Sequence, residues 1–389
     1  MKIALVVEWM DPWRGGAETS TRQFLRHIVD LGVEVEVYTR SRCASAPGMA
    51  VHTVRSLAPT QWQGSAGFPR AAAAALQDGT CDLVHAIVPC PVADIYQPRG
   101  GTVAEVIQRN LALRHSPLAR QFKSLVNRFA AKQRSRLRLE RRLLQRSPRP
   151  VVVAISDYVC RQLATHYAFP ESHTRRIFNG VDPDMADSPQ RRCDRAEVRK
   201  LHGIRDPETL ALMVAHNFKL KGIRRWIETL ARLERSDKLP LRSLVVGKEN
   251  PARWQKLAAR MGVGDRIQFA GPTGRIQAYY HAADFLVHPT YYDPCSRVVL
   301  ESLASRLPCL TTRFDGASDV IQDDVNGYVV DSPDDVQALA DRTRALADAG
   351  TRRRLAERTR ECLPRISMRR HAQEMLQLYE NLIRNGGPS

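Results

Sequence analysis

Short apolar runs alternate with helix-like patterns along the whole sequence, and this alternation restricts the fold more than any other feature. The runs occupy 3–7, 33–38, 83–88 and 151–155 in the first half, and 210–215, 243–246, 267–269, 285–288 and 310–312 in the second. Uninterrupted runs of this length are typical of parallel strands buried on both faces. Strands that alternate with helices predict an α/β fold.

The chain is long enough for two domains. Single hydrophobic cores stop growing near roughly 250 residues, and this chain has 389. The turn-rich run from Asn179 to Pro183 interrupts the alternation, which restarts beyond it, so a second sheet is predicted there. Near the end, apolar residues at helical spacing predict a closing helix over 368–383.

Composition excludes several classes of protein. No run approaches the roughly 20 apolar residues of a membrane-spanning helix. The first apolar stretch stops at Asp11, too early for a secretory signal peptide. The eight cysteines are scattered without the spacing of a metal or redox site, so we expect reduced thiols that mostly serve packing. Together these features predict a cytosolic protein.

The formal net charge of +18 predicts an anionic partner. In the segment 114–149, twelve lysines and arginines accompany a single acid, Glu140. Apolar residues at three- and four-residue steps from Leu118 to Phe129 predict a basic amphipathic helix there. Two interpretations stay open: a packed helix with a solvated cationic side, or a patch for a membrane surface or anionic acceptor, formed by Arg128, Lys132, Arg134, Arg136, Arg138 and Arg141. Nucleic-acid binding is not expected, because stacking aromatics are not interleaved with the charges.

Two turns between a strand and a helix are candidates for binding phosphate. Gly15 and Gly16 follow the first strand, where backbone amides at a helix N-terminus can approach an anion. They lack the full dinucleotide fingerprint, and no Walker lysine follows, which argues against hydride transfer and P-loop hydrolysis.

The second turn carries charge. Asn217, Lys219 and Lys221 stand between the run 210–215 and a helical pattern that begins at Ile223. Two lysines at a helix start predict a diphosphate site, with an exposed basic loop as the alternative.

Two carboxylates, Asp293 and Glu301, flank seven residues after the run 285–288. Asp293 precedes a proline, so a helix N-cap is an alternative role for it. Glu301 lies among apolar residues, where a carboxylate needs hydrogen-bond donors, and ribose hydroxyls would supply them. The turn 316–319 offers further backbone amides.

Together these motifs resemble glycosyltransferase family 4, whose members have the two-domain GT-B fold. The resemblance covers nearly the whole chain, in the family's order: Gly15-Gly16, Asn179-Gly180-Val181-Asp182, Lys221-Gly222, the paired acids, Leu307-Pro308 and Asn326-Gly327-Tyr328-Val329-Val330. The runs 91–96 and 245–251 are most similar to the lipopolysaccharide core glucosyltransferases, the glucosyltransferase I group, which also carry a basic membrane-contacting segment.

The resemblance implies two Rossmann-like domains with parallel sheets facing across a cleft. Residues 1–178, together with the closing helix 367–389, would form an acceptor and membrane domain, and 179–366 a nucleotide-sugar domain. The implied enzyme is cytoplasmic and peripheral on the inner face of the membrane. It would transfer a hexose with retention and without a metal or cofactor, from a nucleotide-sugar with UDP-glucose favoured, to an anionic lipid-linked or lipopolysaccharide-type acceptor.

The resemblance also implies roles for individual residues. Lys221 and Asp293 are the catalytic candidates, acting on the leaving diphosphate and the donor sugar, while Glu301 would hold the ribose. The predicted donor-binding set is Gly15, Gly16, Asn217, Lys219, Lys221, Asp293, Ser296, Arg297, Glu301 and Asp319. Asp94 and Arg99 are predicted on the acceptor side.

The sequence departs from the family pattern at three points. Asp293 stands where the family usually has Glu, Leu220 stands where an arginine precedes the lysine, and the usual histidine after the fourth strand is missing, since none lies between His85 and His115. His85 itself is interpreted as a packed core residue. A GDP-mannose donor, a soluble sugar acceptor, or a non-catalytic protein that binds polyanions or nucleic acid on a transferase scaffold remain alternatives.

Overall fold

The computed structural model describes residues 1–11, 15–55, 61–76, 80–113, 131–182 and 189–386. The chain forms two compact units, Met1–Gly180 with Met368–Ser389, and Val181–Ser367. The division after Gly180 lies two residues beyond the predicted one, and the return at Met368 lies one residue beyond it.

The first unit is built around a seven-stranded parallel sheet. Its strands are β1 (Lys2–Val6), β2 (Glu34–Thr39), β3 (Met49–Thr53), β4 (Leu83–Ala86), β5 (Ile95–Tyr96), β6 (Val151–Ala154) and β7 (Thr174–Arg176). They follow the order β3-β2-β1-β4-β5-β6-β7, and every pair is parallel. The helices are α1 (Gly16–Asp30), α2 (Gln61–Ala75), α3 (Val103–Ala112), α4 (Ala131–Gln145) and α5 (Asp157–Tyr167), with a 3-10 turn at Glu171–His173.

The second unit repeats this plan with six parallel strands. These are β8 (Thr209–Val214), β9 (Leu241–Val246), β10 (Ile267–Gly271), β11 (Phe285–His288), β12 (Cys309–Thr312) and β13 (Gly327–Val330), in the order β10-β9-β8-β11-β12-β13. The helices are α6 (Arg191–Leu201), α7 (Ile223–Ser236), α8 (Ala252–Arg260), α9 (Ile276–Ala282), α10 (Arg297–Ala304), α11 (Val336–Ala347), α12 (Ala349–Arg358) and α13 (Leu363–Ile366). Three 3-10 turns lie at Gly264–Arg266, Gly316–Val320 and Thr359–Cys362.

A single long helix, α14 (Met368–Arg384), ends the described chain and belongs to the first unit. It packs against α1 and buries Met368, Ala372, Met375 and Tyr379 in the core of the first sheet. The predicted closing helix is therefore confirmed.

Buried apolar positions explain why these segments form these elements. All four residues of β6 are buried, as expected of an inner strand covered on both faces. On α7, Ile223, Trp226 and Ile227 are fully buried, and the Trp226 indole donates to Ser243 Oγ at 2.8 Å. The predicted fold class, two Rossmann-like domains with parallel sheets, is confirmed.

Each of the eight cysteines is a free thiol. Four of them are buried: Cys90, Cys295, Cys309 and Cys362.

Candidate functional site

The carboxyl ends of β8 and β11 form the topological switch point of the second sheet. The two strands are neighbours, and the chain runs outward from β8 to β9 on one side and from β11 to β12 on the other. In open α/β sheets, ligands bind outside the carboxyl ends of the strands at such a point. The loops that follow β8 and β11 carry Lys221 and Asp293.

The loop after β8 holds Lys221 through a tight backbone turn. The side-chain oxygen of Asn217 accepts from the Leu220 amide at 3.0 Å, and its carbonyl accepts from the Lys221 amide at 3.0 Å. Gly222 then takes a left-handed conformation with φ +77°. A Cβ at Gly222 would lie 2.0 Å from the carbonyl oxygen of Pro289, so only glycine lets the two loops approach this closely.

Lys221 and Asp293 form an ion pair at this edge of the sheet. The ammonium Nζ lies 2.5 Å from Asp293 Oδ2 and donates to the Tyr292 carbonyl at 3.2 Å. The side chains are 16% and 18% exposed, respectively, so the pair is largely shielded from water. Burial raises the pKa of the Asp293 carboxyl, but the Lys221 ammonium and the neighbouring His288 imidazole together outweigh burial and lower that pKa to about 2.

The backbone of Asp293 is fixed to the loop after β12. Its amide donates to the Phe314 carbonyl at 2.8 Å, and its carbonyl accepts from the Gly316 amide at 2.9 Å. Asp293 is not the N-cap of α10, which corrects the alternative considered from the sequence. That cap is Ser296, whose hydroxyl accepts from the Val299 amide at 3.3 Å. The Asp293 side chain instead pairs with Lys221 through Oδ2 and accepts from the Cys295 amide through Oδ1 at 3.3 Å.

A second buried carboxylate, Asp315, lies behind Asp293. Asp315 is fully buried and accepts from the amides of Ser296 and Ala317, each at 2.9 Å, and from the Thr311 hydroxyl at 3.0 Å. Burial and the neighbouring charge of Asp293 raise the pKa of its carboxyl. Asp315 therefore organises the loops around Asp293, a role that the sequence analysis did not identify.

Glu301 is buried on α10 and has two protein partners. Its Oε1 lies 2.6 Å from Arg297 Nε one turn earlier, and its Oε2 accepts from the Tyr280 hydroxyl at 2.8 Å. These contacts explain how a carboxylate is tolerated among apolar neighbours without a bound ribose.

The 3-10 turn after β12 offers fewer amides than expected. The Gly316 amide donates to the Asp293 carbonyl, and the amides of Ala317 and Ser318 both donate to Asp315. All three amides are therefore engaged within the protein. Asp319, in the same turn, is half-buried, as is Lys219 in the loop after β8.

Two basic residues beside this loop, His216 and Lys248, were missed in the sequence analysis. Burial, followed by the charges of Lys248 and Lys221, lowers the pKa of the His216 imidazole. Lys248 follows β9, and Lys221 follows β8 with His216, so the two lysine charges lie at the carboxyl edge of adjacent strands. Their placement depends on strand order, which local sequence does not reveal.

In the first unit, Gly15 and Gly16 begin α1. Gly15 is the N-cap residue with extended backbone, and its carbonyl accepts from the Thr19 amide at 3.3 Å. The two glycines thus occupy the predicted strand-to-helix turn.

The acceptor-side candidates of the first unit make contacts within the fold. Asp94 Oδ2 accepts from the Val84 amide at 2.8 Å, and burial raises the pKa of its carboxyl. Arg99 is buried and donates to Gln97 Oε1 at 2.8 Å and to Ser20 Oγ at 3.0 Å. Their acceptor-side roles stay predictions.

Two family models match the chain in succession. The model described as Glycosyltransferase Family 4 matches residues 14–185, and the model described as Glycosyl transferases group 1 matches residues 194–362. The chain belongs to glycosyltransferase family 4.

Relatives of this family 4 glycosyltransferase include the lipopolysaccharide glucosyltransferase WaaG of Escherichia coli K12, 29% identical over 241 residues. That match covers 62% of this chain and 64% of WaaG, slightly less than two thirds of its length. The D-inositol 3-phosphate glycosyltransferase of Kribbella flavida is 26% identical over 371 residues, covering 87% of this chain and 84% of the relative.

Solved structures share the fold. The crystal structure of WaaG superposes with a TM-score of 0.81 at 23% identity, covering 97% of this chain and 99% of WaaG. Sucrose-phosphate synthase from Thermosynechococcus elongatus gives a TM-score of 0.79 at 21% identity, with 99% of each chain covered. Both comparisons agree with the GT-B architecture.

The basic segment of this family 4 glycosyltransferase is partly described. Residues 114–130, with Arg128 and the predicted apolar face, lie outside the described part of the chain, as does the side chain of Lys132. On α4, Arg134, Arg136, Arg138 and Arg141 are all exposed. Within the described residues, no helix is both long and apolar enough to cross a membrane.

Glu140, the single acid of this segment, is fully buried. It accepts from the Tyr96 hydroxyl at 2.7 Å and from the Val103 amide at 2.8 Å, and it also binds the Tyr167 hydroxyl. Burial raises the pKa of the Glu140 carboxyl. Because this carboxylate points into the fold, it does not offset the arginines on the exposed side of α4.

His85 is the core residue that the sequence predicted. It is fully buried, and its Nδ1 lies 2.7 Å from the Tyr379 hydroxyl on α14.

Proposed function

We propose that this protein is a retaining, metal-independent hexosyltransferase that uses a nucleotide-sugar, with UDP-glucose favoured, and a lipid-linked or lipopolysaccharide-type acceptor. The observation that carries the proposal is the pairing of Lys221 with Asp293 at the switch point of the second sheet. The name of the relative WaaG, a lipopolysaccharide glucosyltransferase, supports glucose as the transferred sugar.

In the proposed complex, the donor diphosphate lies against the Lys221 ammonium. Positive charge placed where negative charge develops is the largest electrostatic contribution to such a transfer. Lys219 is proposed to add a second charge. Glu301 is proposed to receive the ribose hydroxyls, which would join or replace the Tyr280 hydroxyl on its carboxylate.

Asp293 is proposed to contact the hydroxyls of the donor sugar. In the transfer, the bond between the anomeric carbon and the diphosphate oxygen breaks, and the acceptor oxygen bonds to the same face of that carbon. The proton of the acceptor hydroxyl passes to the departing phosphate oxygen. The protein's part is to place the sugar and to stabilise the diphosphate as it leaves.

The exposed arginines of α4 support an anionic membrane surface as a partner. Each basic residue near an anionic leaflet contributes about 1 kcal/mol of attraction, and Glu140 is buried away from the exposed side. We therefore propose peripheral association with the cytoplasmic face of a membrane, next to a glycolipid acceptor.

A soluble anionic sugar acceptor is the second candidate. It is favoured by the relative named D-inositol 3-phosphate glycosyltransferase, whose match covers more of this chain than the WaaG match does. A GDP-mannose donor remains a further alternative, because Asp293 replaces the glutamate usual in the family.

A donor panel tests the proposal. Purified protein is incubated with UDP-glucose, UDP-galactose or GDP-mannose, with and without lipopolysaccharide core acceptor or inositol 3-phosphate, and released UDP or GDP is measured. Release from UDP-glucose that rises with the lipopolysaccharide acceptor is expected. No nucleotide release from any donor, together with salt-sensitive binding to nucleic acid, would favour a polyanion-binding protein instead.

A further inference from the structure

The ring of His288 is buried beside the Lys221–Asp293 pair and makes no hydrogen bond to the residues that the structure describes. His288 is 1% exposed, and both ring nitrogens lack a hydrogen-bond partner within the described part of the chain. Its Nε2 lies 3.8 Å from Asp293 Oδ2, just beyond hydrogen-bond distance. A buried polar group without a partner costs roughly 1 to 3 kcal/mol, so this arrangement calls for a physical reason.

The backbone of His288 is held in place while its ring is not. The His288 carbonyl accepts from the Thr290 amide at 2.7 Å and from the Thr311 hydroxyl at 3.0 Å. His288 also ends β11 and pairs in register with Thr311 on β12. These bonds fix the backbone of His288 but give its ring nitrogens no hydrogen bond.

Asp293 Oδ2 is the atom that Lys221 and His288 both approach. The ammonium occupies it at 2.5 Å, and the imidazole stands 3.8 Å away. If a donor diphosphate draws Lys221 toward itself, Oδ2 loses its charged donor within a largely buried site. A ring movement of roughly 1 Å would bring Nε2–H to hydrogen-bonding distance.

We propose that His288 is a positioning residue that takes over the Asp293 carboxylate when the donor diphosphate engages Lys221. This inference rests on the proposed function and deepens it. The imidazole donates its Nε2 proton to Oδ2 and thereby keeps Asp293 aimed at the donor sugar. Lys221 is then available to the diphosphate without leaving an unsatisfied carboxylate beside it.

The exchange predicts consequences for both the nucleotide and the sugar. UDP carries the diphosphate that draws Lys221 away from Asp293, so its binding should weaken when position 288 offers the carboxylate no donor. UDP-glucose needs both groups during transfer. A variant without a donor at position 288 should therefore bind UDP more weakly and turn over poorly, while it keeps the wild-type melting temperature.

The test compares His288→Gln, whose amide nitrogen can reach the position of Nε2, with His288→Phe, which fills the space without a donor. For each protein we would measure the melting temperature, UDP affinity by calorimetry, and kcat and KM with the donor that the panel identifies. His288→Phe is expected to lose at least about tenfold in kcat, the effect of one hydrogen bond to a charged group. UDP affinity should fall by a comparable factor, the melting temperature should stay at the wild-type value, and His288→Gln should recover much of both kcat and UDP affinity.

Three results would overturn the inference. His288→Phe could keep wild-type kcat, KM and UDP affinity, or it could lose melting temperature in parallel with kcat, as a purely structural residue would. In a crystal structure with UDP-glucose, a distance from His288 Nε2 to Asp293 Oδ2 that stays near 3.8 Å would also contradict it. Wild-type protein that binds neither UDP nor GDP would contradict the proposed function itself, and with it this role.

Discussion

Replacing Glu301 by glutamine tests the proposed ribose contact while preserving most of the fold. The glutamine carbonyl can still accept from the Tyr280 hydroxyl, which lies 2.8 Å from the carboxylate, but the charge that pairs with Arg297 at 2.6 Å is lost. Losing one charge-assisted bond while keeping the other contact should lower the free energy of unfolding by about 1.5 to 3 kcal/mol.

The substitution should also weaken the binding of the nucleotide. A hydrogen bond from a ribose hydroxyl to a carboxylate contributes about 1.5 to 3 kcal/mol, so loss of one such bond weakens UDP binding about 10- to 150-fold. Glu301→Ala should weaken it further and also leave the buried Tyr280 hydroxyl without its acceptor. Calorimetric titration with UDP and GDP measures the affinity, and thermal unfolding measures the stability.

Asp194→Asn is the matched control for this substitution. Asp194 is a buried acid of the same unit, 2.8 Å from His281 Nδ1 and 3.1 Å from Arg275. His281 follows Tyr280 on α9, so the two substitutions disturb partners of adjacent residues. The control should lose stability but keep nucleotide affinity. Wild-type UDP affinity in Glu301→Gln, or an equal loss in Asp194→Asn, would refute the ribose role.

Three further predictions concern the ion pair, the glycine turn and the basic face. Lys221→Met should abolish detectable UDP binding. It should also move the midpoint of acid unfolding to higher pH. In the wild type the pKa of Asp293 is held near 2, so the ionised carboxylate stabilises the fold above about pH 4, and this stabilisation is lost as the pH falls from about 4 to 2. An unchanged acid midpoint, measured by circular dichroism, would contradict this. Gly222→Ala should destabilise the protein more than Gly262→Ala does. Both glycines have positive φ, but only a Cβ at position 222 would lie 2.0 Å from a carbonyl oxygen. Equal losses of melting temperature would count against the close approach. Replacing four exposed arginines of α4 by glutamine (Arg134, Arg136, Arg138 and Arg141) should weaken binding to anionic vesicles, measured by sedimentation, by roughly two to three orders of magnitude and spare UDP binding. The same charge change on the second unit (Arg353, Arg354, Arg358 and Arg360) should have little effect. Equal vesicle binding by the two variants would exclude the patch.

The sequence predicted those parts of the fold that depend on local patterns. The predicted core strands overlap the observed ones, and the buried face of α7 matches the apolar spacing from Ile223 to Leu233. These features are encoded within a few residues of chain, so periodicity suffices to find them.

The sequence predicted less where contacts join distant segments. The N-cap of α10 proved to be Ser296 rather than Asp293, because Asp293 is bound instead to the loop after β12. The partner of Glu301 on α9 and the burial of Glu140 beneath α4 likewise depend on tertiary packing. His288 looked like an ordinary strand end, and its place beside Asp293 emerges only from the folded loops.

The most direct test of the central claim is a crystal structure of the protein with UDP or UDP-glucose bound. The account predicts the diphosphate within hydrogen-bond distance of Lys221 Nζ, outside the carboxyl ends of β8 and β11, with the ribose at Glu301. A nucleotide bound elsewhere on the protein, or a diphosphate that makes no contact with Lys221, would contradict it.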